Sequence, residues 1–133
     1  MHNLTSPDMS DNGVEALIQA KGKTAPRVTP ADLEANIASE HYFTAADGAE
    51  MAVALSDAYD GILPEALDLL TFCVLVLQNG FTVTGESACA SPENFDAVIG
   101  RSIARANAVA KVWPLMGYQL KQELHLAEKK DLA

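Results

Sequence analysis

The fold is decided by residues 70–86, which read LTFCVLVLQNGFTVTGE. The first eight of these residues are rich in β-branched and aromatic side chains and carry apolar groups on both faces, which is typical of a strand buried from both sides. Asn79-Gly80 is the pair that most readily adopts the positive φ angles of a two-residue hairpin turn. Phe81 and Val83 then alternate with threonines and share one face of a second strand. The stretch therefore predicts a β-hairpin.

A long helix is predicted after the hairpin. Ser91-Pro92-Glu93 supplies a capping hydroxyl, a proline suited to the first helical position and an acidic residue in the first turn. Pro114 is expected to stop the helix or bend it sharply, with a shorter helix over 115–127 that folds back. Apolar residues at steps of three and four predict the helix over 93–113: Phe95, Val98, Ile99, Ile103, Ala106, Val109, Ala110 and Trp113.

Short elements are predicted on the N-terminal side of the hairpin. Thr29-Pro30-Ala31-Asp32 combines a capping hydroxyl, a first-turn proline and an acidic residue, and it begins a helix over 30–39. Residues 41–44 suit a short extended piece, which ends in turn chemistry at Asp47-Gly48. The remaining predictions are a short helix over 49–58, its closure at Tyr59-Asp60-Gly61 and a helical turn over 65–69.

This order of elements predicts an α+β fold, in which the β-hairpin packs against the long C-terminal helix and additional short helices complete a small single domain. Residues 1–28 are polar and predict a mobile N-terminal arm with one or two helical turns, and residues 29–133 form the domain. A strand that is apolar on both faces needs two covering layers, so we expect a homo-oligomer, most simply a two-fold dimer. We expect the helix to cover one face of the hairpin and to bury Phe72, Val74, Phe95, Ile99 and Ile103.

Composition excludes several classes of protein. The chain has 133 residues, 49% of them hydrophobic, and a chain of this size buries a core without disulfides or metals. The N-terminus lacks the apolar core of a signal peptide, and the longest apolar run, 73–77, is far short of a membrane span. We therefore expect a cytosolic protein with reduced cysteines and no membrane partner.

Charge is divided unevenly along the chain. The formal net charge is −9, yet twelve acidic residues and no lysine or arginine lie between Val28 and Gly100. Residues 101–133 carry six basic and three acidic residues. An acidic field repels the phosphate backbone, so DNA is not an expected partner.

No motif points to catalysis or to a metal. The three histidines, His2, His41 and His125, lack the spacing of zinc ligands, so neither a metal nor a cofactor is expected. Cys73 lies in the predicted buried strand, and Cys89 has no base that the sequence assigns to it. The spacings of a phosphate-binding loop and of a nucleophile elbow are absent. We therefore expect a protein that is not an enzyme.

One region has the residue types of an anion site. Small hydroxyl residues precede the predicted helix start, where free N–H groups and the helix dipole favour an anion. Arg101 and Arg105 are four residues apart, share one helix face and suit phosphate or carboxylate. Because Arg105 lies about 20 Å along the helix from Ser91, a site between subunits is the expected form. Alternatively, Ser91 merely caps the helix and both arginines pair with the acidic middle of the chain. The candidate ligand-binding residues are Thr84, Ser87, Ser91, Arg101 and Arg105.

A specific string of residues runs through the hairpin and the region after it: FTVTGESAC at 81–89, followed by Asn94-Phe95-Asp96 and Ile99-Gly100. With this string the chain resembles the tailed-phage and prophage family called gene product 49 / gene 66. The resemblance covers about residues 17–124. It implies a small accessory protein made in the cytoplasm of the infected bacterium, with no catalytic motif that carries over.

That context predicts a non-enzymatic phage protein that binds a host component, with host immunity as the target class. In one form it sequesters a phosphate-bearing signal nucleotide, such as a cyclic oligonucleotide or an ADP-ribose derivative, in a pocket between subunits. In the alternative form it is an acidic protein-binding module that covers a basic surface on a host protein and inhibits or redirects it.

Overall fold

The structure is a computed structural model that describes residues 8–55 and 61–132. By their contacts, the residues group into two units, Asn36–Pro114 and Met1–Ala35 with Leu115–Ala133. The α+β fold class is confirmed, whereas the boundary at residue 28 stays a prediction. The described residues contain four α-helices and three strands, in the order α1 (Asp11–Ala20), α2 (Pro30–Asn36), β1 (Ile37–Thr44), α3 (Ala45–Ala54), β2 (Leu70–Leu77), β3 (Thr82–Ala88) and α4 (Ala97–Asp131).

The predicted hairpin is confirmed as β2 and β3, but its turn differs from the prediction. The Leu77 N–H donates to the Phe81 carbonyl at 2.9 Å, so the loop has three residues, Gln78 to Gly80, and not two. Gly80 has a φ of 87°, whereas no residue other than glycine has a positive φ in the described chain. A turn followed by one left-handed residue is a common three-residue hairpin loop, and it needs glycine only at that last position.

A third strand, β1, pairs antiparallel with the other edge of β2, in the register Tyr42 with Cys73 and Phe43 with Phe72. The helix predicted over 30–39 ends earlier, at Asn36, and the extended piece predicted over 41–44 is the second half of this eight-residue strand. The edge of β2 carries backbone N–H and C=O groups that need partners, and this demand outweighs the local helical preference of the segment.

Helix α3 begins at Ala45, where the sequence predicts a turn at Asp47-Gly48 and a helix from residue 49. Thr44 and Asp47 form a capping box: the Thr44 Oγ1 accepts the Asp47 N–H at 3.1 Å, and the Asp47 carboxylate accepts the Thr44 N–H at 2.9 Å. The turn chemistry of Asp47 is thus used inside the first helical turn. The predicted helix end at residue 58 lies outside the described residues. The helical turn predicted over 65–69 is confirmed as the 3₁₀ segment Glu65–Leu69.

The start of α4 is later than predicted. Ser91-Pro92-Glu93 opens a short 3₁₀ turn, and the α-helix begins only at Ala97. The Asp96 carboxylate accepts the Ile99 N–H at 3.0 Å. A carboxylate held there satisfies an otherwise free donor of the first turn and interacts favourably with the helix dipole, which explains the shifted start.

The end of α4 is also later than predicted, because the helix continues through Pro114 to Asp131. The expectation that the helix stops at Pro114 is wrong, whereas the alternative of a sharp bend there stays a prediction. A proline removes one N–H donor, but the residues after it are rich in Leu, Gln, Glu and Lys, which favour helix and extend it.

Within the unit Asn36–Pro114, α4 packs on the sheet through small side chains. Gly85 of β3 lies directly against the helix: a Cβ at this position would come within 3.0 Å of the Ala104 carbonyl oxygen and of the Ala108 backbone. Two backbones approach this closely only where both surfaces lack bulky side chains. The buried row recurs every four residues, at Gly100, Ala104, Ala108 and Val112.

The predicted core is therefore wrong in its choice of helix face. Ile99 and Ile103 are 58% and 46% exposed, since the small-residue row takes the position against the sheet. Phe72 and Val74 point to the opposite face of β2, and they and Phe95 are only half-buried. The 3.6-residue period identified the helix, but its bulky apolar residues indicated the wrong buried face, because Gly100, Ala104 and Ala108 carry little apolar surface.

The unit Met1–Ala35 with Leu115–Ala133 contains α1, which is longer than the one or two turns predicted. The Ser10 hydroxyl caps α1 by accepting the Gly13 N–H at 3.1 Å. The Arg27 guanidinium pairs with both carboxylate oxygens of Glu15 and ties the following segment to this helix.

Candidate functional site

The sheet has two unlike faces. The helix face, which points toward residues 97–114 of α4, is buried along β2 at Thr71, Cys73, Leu75 and Leu77. The opposite face, called the outer face, carries half-buried apolar side chains along the same strand: Phe72, Val74 and Val76. The predicted burial of β2 from both sides is therefore complete only on the helix face.

The hydroxyl residues predicted as an anion site lie apart. Thr84 is on the outer face, where its hydroxyl donates to Glu86 at 3.4 Å, whereas Ser87 is on the helix face. Ser91 makes no side-chain cap, and its carbonyl accepts the Asn94 N–H at 3.0 Å. Because α4 starts after Asp96, none of the three is its capping residue. Their use as a ligand site stays a prediction.

The two arginines have different surroundings. The Arg105 Nε donates to a Glu40 carboxylate oxygen at 2.6 Å, so Arg105 joins α4 to β1. This pairing follows the alternative in which the arginines neutralise the acidic middle of the chain. Arg101 is exposed and has no hydrogen bond or ion pair among the described residues. Of the pair, Arg101 is the cation left for a ligand.

The contact between Arg105 and Glu40 belongs to a small polar network on the helix face. The Arg105 guanidinium lowers the pKa of the Glu40 carboxyl, and the Tyr42 hydroxyl, which donates to Glu40 at 3.1 Å, adds to this. Burial raises the pKa of Tyr42 to about 12, and the neighbouring Cys73 and Glu40 contribute. Burial also raises the pKa of the Cys73 thiol, which keeps it protonated and unreactive.

Two small clefts open on either side of Thr71, beneath the first turn of α4. The first is lined by Asp47 and Arg101 and holds about 90 Å³. The second is lined by Ser87 and Cys89 and holds about 130 Å³. Thr71 and Phe95 line both. Since pockets for drug-sized ligands hold about 300–1,000 Å³, neither cleft encloses a nucleotide within one chain.

Thr71 is the residue of this region that the sequence reading missed. It is 3% exposed, and its Oγ1 is the buried side-chain oxygen or nitrogen left without a hydrogen-bond partner in residues 8–55 and 61–132. A single hydroxyl in the apolar run LTFCVLVL was the available signal, but strands also carry threonine for its β-branched shape.

One protein family matches a segment of the chain that includes the sheet, the residues that line both clefts, and most of α4. The pattern of the phage protein (N4 Gp49/phage Sf6 gene 66) family matches residues 28–124. The chain belongs to this family. The predicted resemblance to gene product 49 / gene 66 is thereby confirmed, and Thr71 and Arg101 both lie inside the family segment. No curated protein and no solved structure matches the chain.

Across residues 8–55 and 61–132, no three His, Cys, Asp or Glu side chains gather into a possible metal site. In the same residues, no helix combines the length and the apolar character needed to cross a membrane.

Proposed function

We propose that this phage protein is a non-enzymatic accessory protein that acts in the host cytoplasm by binding a host protein. The observation that carries this is the surface charge of the unit Asn36–Pro114. Its cations are Arg101, Arg105 and Lys111, and the last two already face Glu40 and Glu86 at 2.6 and 4.0 Å. An acidic surface of this kind complements a basic surface on a partner. The carboxylates of this unit that the structure describes are all exposed: Glu40, Asp47, Glu50, Glu65, Asp68, Glu86, Glu93 and Asp96.

Apolar surface on the same unit supports a protein as the partner. On the outer face, Phe43 is 39% exposed and packs against Phe72 with ring centroids 5.6 Å apart. Ile99 and Ile103 of α4 are also exposed. Apolar side chains rimmed by charge are typical of protein interaction sites, whereas a surface that only keeps a protein soluble needs no such side chains.

The test is capture of host proteins from a bacterial lysate on the immobilised chain, followed by affinity measurement at rising salt. We expect affinity to fall with salt and to be weakened by the triple variant Glu50→Gln, Glu65→Gln, Glu93→Gln. The matched control neutralises three acidic residues near the end of α4: Glu123→Gln, Glu128→Gln and Asp131→Asn. Affinity that responds to neither salt nor the first variant would reject the acidic-module function.

A second candidate function is sequestration of a phosphate-bearing immune signal nucleotide, and the unpaired Arg101 favours it. The small volume of each cleft implies that such a ligand is shared between subunits, so this candidate requires the homo-oligomer. Thermal-shift screening with cyclic di- and trinucleotides and ADP-ribose derivatives tests it. A hit whose affinity is unchanged in Arg101→Ala, with the fold intact, would place the ligand elsewhere.

A further inference from the structure

The Thr71 hydroxyl is a buried polar group that contributes no hydrogen bond to the fold. Its Oγ1 has no hydrogen-bond partner among the described residues, and its side chain lies on the helix face beneath α4. An unpaired buried hydroxyl destabilises the folded state, and valine has nearly the same shape without that cost. Such a group calls for a partner that the isolated chain does not supply.

The backbone of α4 lies close to this hydroxyl. Gly100 of α4 faces it, and a Cβ on Gly100 would lie 3.0 Å from the Thr71 Oγ1, which is tighter than ordinary packing. Thr71 also lines the first cleft, which lies on the β1 side and holds about 90 Å³. That volume suits one small group and excludes a larger molecule.

The charged residues that line the first cleft indicate the chemical class of the small group that it would bind. Arg101 lines the cleft and is unpaired among the described residues, so its guanidinium is available to an oxyanion. Asp47 also lines the cleft, and one oxygen of its carboxylate accepts the Thr44 N–H at 2.9 Å within the capping box of α3. Phe95 supplies an apolar wall that strengthens charged hydrogen bonds by excluding water.

We propose that the first cleft binds a small oxyanion, a carboxylate or a phosphate group, which accepts hydrogen bonds from both the Thr71 hydroxyl and the Arg101 guanidinium. The site belongs to one chain and does not depend on the host-protein function. If no host protein is captured from the lysate, the oxyanion site is not contradicted. If no oxyanion binds in the first cleft, the proposed binding of a host protein by the acidic surface is not contradicted.

The experiment is an amide NMR titration of the purified full chain with sodium phosphate and, separately, sodium acetate, at ionic strength matched with sodium chloride. We expect saturable shifts at Thr71, Gly100 and Arg101 with one of the two anions, and the responding anion identifies the source of the oxyanion. Saturation with neither anion would overturn the proposal.

Variants separate a binding role from a structural one. Thr71→Val is expected to weaken binding about tenfold or more while its melting temperature stays equal or rises, because a buried unpaired hydroxyl is replaced by a methyl group. Arg101→Gln is expected to weaken binding similarly, whereas Lys111→Gln removes the same charge from an exposed position of α4 and leaves binding unchanged. Wild-type affinity in both cleft variants, equal weakening in Lys111→Gln, or a lower melting temperature for Thr71→Val would each contradict the site.

Discussion

Replacing Gly85 by alanine tests the packing that positions both clefts. The added Cβ would lie within 3.0 Å of the Ala104 carbonyl oxygen and of the Ala108 nitrogen and Cα. These are backbone atoms, so no side chain can rotate away, and α4 or β3 has to shift. A shift strains the hydrogen bond from the Asn107 side-chain amide to the Glu86 carbonyl, 2.8 Å long, which contributes about 1 kcal/mol.

The overpacking itself costs about 1–3 kcal/mol in a well-packed core. Together the two effects predict that Gly85→Ala lowers the free energy of unfolding by about 3 kcal/mol and the melting temperature by roughly 10 °C. Urea denaturation followed by circular dichroism measures the first, and calorimetry the second.

Gly48→Ala is the matched control. Gly48 lies within α3 and has no positive φ, and a Cβ added there would meet no atom within 4 Å. Alanine at this position is therefore expected to be neutral or to stabilise by up to about 1 kcal/mol. A cost below about 1 kcal/mol for Gly85→Ala would show that α4 does not rest on β3 as described.

Three further predictions concern the burial of side chains on α4, the ion pair between Arg105 and Glu40, and the half-buried outer face of the sheet. Ile103→Ala is expected to lower the free energy of unfolding by less than about 1 kcal/mol and Val112→Ala by about 2 kcal/mol, because only Val112 is fully buried. Urea denaturation measures both losses, and a larger loss for Ile103→Ala would show that the core predicted from the sequence is correct. Arg105 lowers the pKa of Glu40, so the stability from this pair is present above the usual carboxyl range and is lost as the pH falls through the lowered pKa. Arg105→Gln should therefore show less loss of stability between neutral and acid pH than the wild type, and equal acid sensitivity would exclude the pair as a contributor. Light scattering at micromolar concentration is expected to give a particle mass above the 14.1 kDa of one chain. The mass of a monomer would contradict the two-fold dimer and, with it, a nucleotide site shared between subunits.

The candidate site was only partly accessible to sequence reasoning. The sequence identifies Arg101 as a cation for an anion, and the structure leaves it unpaired among the described residues, but Thr84 lies on the outer face of the sheet and Ser91 makes no side-chain cap. The placement depended on a helix start at Ser91, and one competing cap, Asp96, moved that start. Whether Thr71 has a partner depends on every neighbouring element, so no local pattern reveals it.

The sequence by itself determined the hairpin, its glycine, the α+β class, the existence of a long helix and the family, because these rest on neighbouring residues and on local conformational preference. Only the tertiary structure decided that residues 37–44 form a strand, since the edge of β2 has to be paired. It also decided which face of α4 is buried. Gly85 allows two backbones to meet, so the small residues of α4 turn inward and the isoleucines outward. The physical reason is that close packing and hydrogen-bond pairing are relations between residues far apart in the chain.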